Sequence, residues 1–126
     1  MTSVSTTAYD PSNIFARMLR GEIPNDTLYE DEQVLAFRDI NPQAKVHILV
    51  IPKGAYRDIH DFGARATETE IVAFYRAVSK IVEQEGLTAQ GFRAIANSGQ
   101  DAHQEVPHFH LHLLAGEALG PLRARS

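Results

Sequence analysis

The sequence predicts one α+β domain built on an antiparallel sheet of about five strands with two helices, and three observations carry that expectation. Several short segments follow one another at hairpin distance and carry the β-branched, aromatic or alternating residues of strands. Two other segments repeat apolar residues at helical spacing. The chain has 126 residues, which fits one core and leaves no room for two. Hairpin-linked strands with helices set apart from them make an α+β arrangement. The domain is expected over residues 10–116, between a flexible N-terminal tail of residues 1–9 and a C-terminal tail of residues 117–126.

The elements follow in order. Asp10-Pro11-Ser12 forms a capping cluster, after which Ile14, Phe15, Met18 and Leu19 share one helical face and Gly21 suits the C-terminal end. Thr27 to Asp31 and Val34 to Arg38 read as strands joined by the polar turn Asp31-Glu32-Gln33. Lys45 to Pro52 is nearly continuously apolar, so that strand is expected to be covered on both faces, with His47 at least partly buried and in need of a partner. Thr67 to Glu85 is the clearest helix. Thr67 and Glu70 have capping-box spacing, Ile71, Phe74, Tyr75, Val78, Ile81 and Val82 form the apolar stripe, and Gly86 ends it. Phe92 to Asn97 is a strand, Ser98 to Glu105 a loop, and Val106 to Leu114 the last strand.

Composition removes several classes of function. Sixteen acidic against twelve basic residues give a formal net charge of −4, so no overall positive field draws nucleic acid or an anionic membrane. There is no cysteine, which excludes disulfides, thiolate zinc sites and a Cys nucleophile, and suits a reducing cytoplasm. The sequence shows neither an apolar run of about 18 residues nor the n- and h-regions of a signal peptide, so a cytoplasmic protein without a membrane partner is expected.

The chemistry concentrates in His108-Phe109-His110-Leu111-His112-Leu113-Leu114. On a strand, this alternation places three imidazoles on one face, roughly 6.5–7 Å apart, and sends Phe109, Leu111 and Leu113 into the core. An isolated histidine on a strand is ordinarily structural. Three at period two displace residues that a sheet favours, which points to function. Two readings of the strip stand side by side. One is a metal site, for which two of these histidines with His47 would supply imidazole ligands. The other is anion chemistry, with one histidine attacking an electrophile while its neighbours bind negative oxygens. Asn97, Gly99, Gln104 and the backbone N–H groups near Glu105 and Val106 are donors suited to phosphate.

Residues 108 to 114 fit every position of the pattern His-φ-His-φ-His-φ-φ, with φ apolar, and so the sequence resembles the histidine triad family. The likeness runs from about Asn13 to Leu114 and includes Ile14-Phe15, Gly21-Glu22-Ile23-Pro24, Ala36-Phe37-Arg38-Asp39-Ile40, Pro42-Gln43-Ala44 and Leu49-Val50-Ile51-Pro52-Lys53. It is closest to the Hint branch, the histidine triad nucleotide-binding proteins. The resemblance implies a homodimer whose two sheets join into one, and a site for a purine nucleoside monophosphate unit. It implies hydrolysis of purine nucleoside 5′-phosphoramidates or acyl-nucleotides through a nucleotidyl-histidine intermediate. His110 would be the nucleophile, its Nδ1 oriented by a backbone carbonyl so that Nε2 is free. His112 would hydrogen-bond phosphate oxygens, and His108 with His47 would set protonation. Asp39 matches the ribose-binding carboxylate, Ile14, Phe15, Met18, Phe37 and Ile40 match the base pocket, and Asn97 matches a polar residue near the phosphate. No cofactor and no metal is implied. Two alternatives remain: a dinucleoside polyphosphate hydrolase of a neighbouring branch, and a nucleotide-binding interaction module with incidental turnover.

Three features depart from the animal members of the branch. Glu105 stands where they have serine, so only its backbone N–H carries over. His103 stands where they have glycine, and the segment from Gly116 lacks their tryptophan-containing end.

Overall fold

In a computed structural model, which describes residues 8–123, five strands form one antiparallel sheet in the order β1-β2-β3-β5-β4. They are β1 (Thr27–Glu30), β2 (Val34–Arg38), β3 (Val46–Pro52), β4 (Arg93–Ile95) and β5 (Leu111–Ala115). Among the described residues three helices accompany the sheet rather than the expected two: α1 (Ile14–Leu19), α2 (Ile59–Arg65) and α3 (Glu68–Gln84). The reading of residues 1–7 and 124–126 as tails lies outside the described residues. No described helix is long and apolar enough to cross a membrane.

Alternation along the central strands sorts the apolar residues into two layers. Val34, Ala36, Ile48, Val50, Leu113 and Ala115 pack against Phe74, Ala77, Ile81 and Val82 of α3, together with Phe62 of α2 and Phe109. Leu35, Phe37, Leu49 and Ile51 face the other way, onto Phe15 of α1. Val34, Ile48, Val50, Ile51 and Leu113 have no solvent exposure, which is what a strand run covered on both faces requires. The stripe expected on α3 departs at one place: Tyr75 is 63% exposed, and Ala77 takes a core position instead.

The helix ends follow their local chemistry. Thr67 and Glu70 form the capping box of α3, each side chain bonding the other's backbone N–H. Gly86, at φ +69°, follows the last turn, and the N–H groups of Gly86 and Leu87 reach back to the carbonyls of Glu83 and Val82. Gly21, at φ +79°, closes α1 with the same pair of bonds. At the start of α1 the cap is Asn13, one residue beyond the expected cluster, and its Oδ1 accepts the Ala16 N–H at 2.9 Å.

The last strand begins later than expected. Pairing to β3 starts at Leu111, so only His112 of the three triad histidines lies on a strand. Pro107 explains the delay because it has no N–H for a ladder. The His108 N–H folds back onto the Val106 carbonyl at 2.8 Å, and the Phe109 N–H bonds the Tyr56 carbonyl at 2.7 Å. The alternation survives: Phe109 enters the α3 side with Phe62 and Phe74, while His110 meets Phe15 on the other.

Candidate active site

The six-residue helix α1 covers only part of its face of the sheet, and the remainder is an open cavity of about 390 Å³. One end is apolar, lined by Ile14, Phe15, Met18, Phe37, Ile40 and Leu49. Ile40 is 88% exposed, an unusual position for a large apolar side chain unless something lies over it. The other end is polar, lined by Asp39, Asn97, His103, Glu105, Val106, His110 and His112. The cavity thus gathers all five residues expected at the base pocket, with Asp39, Asn97, Glu105 and Val106. Ile23, Pro24, Asn25 and Leu49 also line it and were not anticipated. Leu49 had a readable signal, since it lies two residues beyond His47 on the same strand.

Hydrogen bonds define which nitrogen of each imidazole carries the proton. His110 Nδ1 lies 2.7 Å from the His108 carbonyl. A carbonyl only accepts, so Nδ1 carries the hydrogen and Nε2 keeps a bare lone pair. Burial holds the pKa of His110 below the usual histidine value, against the opposing pull of the His108 carbonyl, so the ring is kept neutral. Phe15 meets it edge-on at 5.1 Å between centroids, and His112 does so at 5.0 Å. The result is a neutral, positioned imidazole at the boundary between the apolar and polar ends.

A second chain of bonds orients His112. The backbone N–H of Gln43 donates to His47 Nδ1 at 3.0 Å. Neutral His47 then carries its hydrogen on Nε2, which lies 2.9 Å from His112 Nδ1. His112 Nδ1 accepts it, so the remaining hydrogen of His112 is on Nε2, as a donor. Burial lowers the pKa of His47, partly offset by the Asp39 carboxylate. Burial, then the neighbouring His110 and His47, brings His112 down to about 4.

Asp39, His47 and His112 bring one ligand-type atom each within 4.8 Å of one another. The donor set does not fit a cation as it stands. The Gln43 N–H occupies the Nδ1 lone pair of His47, so the nitrogen facing the cluster is the protonated one. Asp39 is also engaged: its Oδ1 accepts the Asn41 N–H at 2.8 Å, and its Oδ2 lies 3.5 Å from His47 Nε2.

Four expected site residues stand elsewhere. His108 is fully buried behind the cavity wall, its Nε2 donating to the Pro52 carbonyl at 2.9 Å and its Nδ1 accepting from Tyr9 at 2.6 Å. Its pKa is down at about 4 because of burial, so it does not exchange protons near neutrality. Gln104 and Gly99, expected as phosphate donors, are bonded to each other: the Gly99 N–H donates to Gln104 Oε1 at 2.9 Å. The Gln104 amide donates to the carbonyls of Arg57 and Val106, at 2.7 and 3.0 Å. These groups brace the loop from behind. His47 lies behind His112 and meets the cavity lining through it and through Asp39.

Known proteins resemble this chain over most of its length. The HIT domain model matches residues 20–119. An uncharacterized 13.2 kDa HIT-like protein of Azospirillum brasilense is 58% identical over 114 residues, covering 90% of this chain and 93% of its own. The purine nucleoside phosphoramidase of Escherichia coli K12 is 44% identical over 111 residues, covering 88% of this chain and 92% of its own. Among solved structures, a histidine triad protein from Clostridium difficile superposes with a TM-score of 0.81 at 41% identity, covering 92% of this chain and all of that one. The matched span contains the paired strands, the polar end of the cavity and all three triad histidines, with Ile14, Phe15 and Met18 just ahead of it, and the chain belongs to the HIT domain family.

Proposed function

We propose that this protein is a purine nucleoside phosphoramidase of the Hint branch, hydrolysing nucleoside 5′-phosphoramidates or acyl-nucleotides to the nucleoside monophosphate. The observation that carries the reading is the His110 Nδ1–H bond to the His108 carbonyl, which leaves Nε2 as a free nucleophile beside the polar end of the cavity. The base lies among Phe15, Phe37 and Ile40, the ribose hydroxyls donate to Asp39, and the phosphate meets His112 Nε2–H and the Val106 backbone. His110 Nε2 attacks the α-phosphorus, the P–N bond breaks, and the departing nitrogen takes a proton from solvent, which the attacking water of the second step gives back. Water then attacks the phosphorus of the nucleotidyl-imidazole, releasing the monophosphate and restoring neutral His110. No metal takes part in this sequence.

The reading includes a homodimer and a cytoplasmic location. The three-residue strand β4 leaves one sheet edge unpaired, which supports joining of two sheets there. The absence of cysteine fits a reducing compartment.

The test compares wild type and His110→Ala on adenosine 5′-phosphoramidate, with and without chelator. Release of adenosine monophosphate by wild type alone, indifferent to chelator, is the expected result. Turnover that stops in chelator would return the Asp39, His47 and His112 cluster to consideration as a metal site. Preference for a dinucleoside polyphosphate would move the protein to the neighbouring branch, and binding without turnover would leave a nucleotide-binding module. A monomer in sedimentation at micromolar concentration would remove the dimer.

A further inference from the structure

Tyr9 was expected to fall in the flexible N-terminal tail, yet its side chain enters the triad. Its hydroxyl lies 2.6 Å from His108 Nδ1, across 99 positions of sequence, and the two rings meet edge-on with centroids 5.7 Å apart. The other ring nitrogen of His108 is committed to the Pro52 carbonyl at 2.9 Å. Because that carbonyl only accepts, Nε2 carries the hydrogen, Nδ1 is bare, and the Tyr9 O–H must be the donor. The two contacts clamp the imidazole at both ends.

The clamp bears on the reacting atom through the backbone. Residues 106–110 precede the first ladder pair of β5, so no ladder holds the carbonyl of His108 in place. That carbonyl is what receives the His110 Nδ1–H. Its position depends on the His108 and Phe109 N–H bonds to Val106 and Tyr56, and on the His108 ring, which is completely buried and held between Pro52 and Tyr9. We propose that Tyr9 is a positioning residue for the nucleophile: its hydroxyl locks His108 as the Nε2–H tautomer in one ring orientation, and the His108 carbonyl thereby aims His110. This rests on the reading of His110 as nucleophile. It assigns the chain just ahead of α1 a part in catalysis that the triad pattern does not contain.

Tyr9→Phe keeps the ring against His108 and removes the donor, along with the oxygen that the Asn13 side chain bonds. A buried acceptor left without its partner favours tilting of the ring or entry of water, and small misplacement of a nucleophile is costly in rate. Steady-state kinetics on adenosine 5′-phosphoramidate should then show kcat lowered about tenfold while KM and the Kd for adenosine monophosphate stay within about twofold. Imidazole nitrogen NMR supplies a second readout that needs no turnover. In wild type, His108 should show the Nε2–H tautomer with a hydrogen-bonded Nδ1; in Tyr9→Phe the Nδ1 signal should move toward that of an unbonded nitrogen, while His47 and His112 stay in place. A variant with wild-type kcat overturns the proposal. So does a variant that loses fold, Kd and kcat together, which would make Tyr9 structural only, or a wild-type His108 carrying its proton on Nδ1. If wild type shows no phosphoramidase turnover, the functional reading fails, and the NMR comparison still decides whether Tyr9 sets the tautomer of His108.

Discussion

The two faces of the sheet obey the same two-residue alternation and reach opposite ends with it. On the α3 side, β2, β3 and β5 present Val34, Ala36, Ile48, Val50 and Leu113 to a 17-residue helix, and the layer is closed by Phe62, Phe74 and Phe109. On the α1 side, the intervening residues Leu35, Phe37, Leu49 and Ile51 meet a six-residue helix that leaves a cavity open. His47 and His112 belong to this side by strand alternation, and His110 by its contact with Phe15. One face is finished by packing and holds the fold. The other is left unfinished, and its histidines have to be held by directed hydrogen bonds.

The largest expected effect separates these roles. His110→Ala should lower kcat by about 10⁴-fold or more, on the scale seen when a nucleophile is removed. Its stability should change by about 1 kcal/mol, the net worth of one hydrogen bond. Phe74→Ala empties a site only 2% exposed and should cost about 3–5 kcal/mol, while the molecules that remain folded keep their turnover. Paired urea melts and turnover per folded molecule check both variants. Loss of both properties in either one would break the division between the faces.

The second effect is in pH. His108 and His112 are held at about 4 in the folded protein, against the usual 6.5, and His47 and His110 are also lowered. Between those values the unfolded chain binds protons that the folded chain does not, so stability is full above about pH 6.5 and falls as pH drops toward 4. His108 and His112 each contribute about 2.5 kcal/mol, so the loss should be on the order of 5 kcal/mol, read as a shift of the urea midpoint between pH 7.5 and pH 4.5. Asp61 on the other side of the molecule is held at about 2, first by its bond to Arg65, so its contribution is lost only at more acid pH. A stability curve flat down to pH 4.5 would mean that the histidines are not held neutral.

The two faces also differed in how far they could be read from sequence. Val34 to Arg38 and the capped helix from Thr67 were legible because their signals are local: alternation, a capping box, a terminal glycine. Helix α2 was not legible. Its seven residues include Gly63, and its hold on the protein is long-range: Asp58 caps it while also accepting from Ser98 Oγ, 40 residues away, at 2.7 Å. The site divides in the same way. Period two announced the three histidines, and the cavity received every residue expected at the base pocket. The resemblance implied the proton position of His110, whose partner is a carbonyl two residues back, but those of His47, His108 and His112 were not readable, because they are decided by Gln43, Pro52 and Tyr9, partners that only folding brings to the rings. Gly99 and Gln104 were plausible phosphate donors by type, and their bond to each other is equally invisible in the chain.

Asp39→Asn should sharpen the comparison inside the cavity, between its sugar and phosphate regions. The side chain keeps one acceptor for the Asn41 N–H, so the turn it supports survives, while the charge that favours two ribose hydroxyls is gone. Affinity for adenosine monophosphate should fall about tenfold, near 1.4 kcal/mol, with little change for the 2′,3′-dideoxy analogue. An equal loss for both ligands would place Asp39 in support of His47 rather than on the ribose.

The smallest effect is expected at Gln104, and it asks whether the polar loop belongs to the chemistry or only frames it. The side chain makes three bonds, to Gly99, Arg57 and Val106, and none of its atoms lines the cavity. In Gln104→Ala the released groups lie partly exposed, so water can replace part of what the amide supplied and the loss should be about 1 kcal/mol. Since Glu105 and Val106 do line the cavity, loosening the loop should raise KM by about two- to threefold and leave kcat nearly unchanged. A kcat loss approaching that of His110→Ala would mean that the amide turns toward the phosphate when substrate binds. The loop would then join the unfinished face as a working part, and the boundary between packing and chemistry would run through Gln104 rather than in front of it.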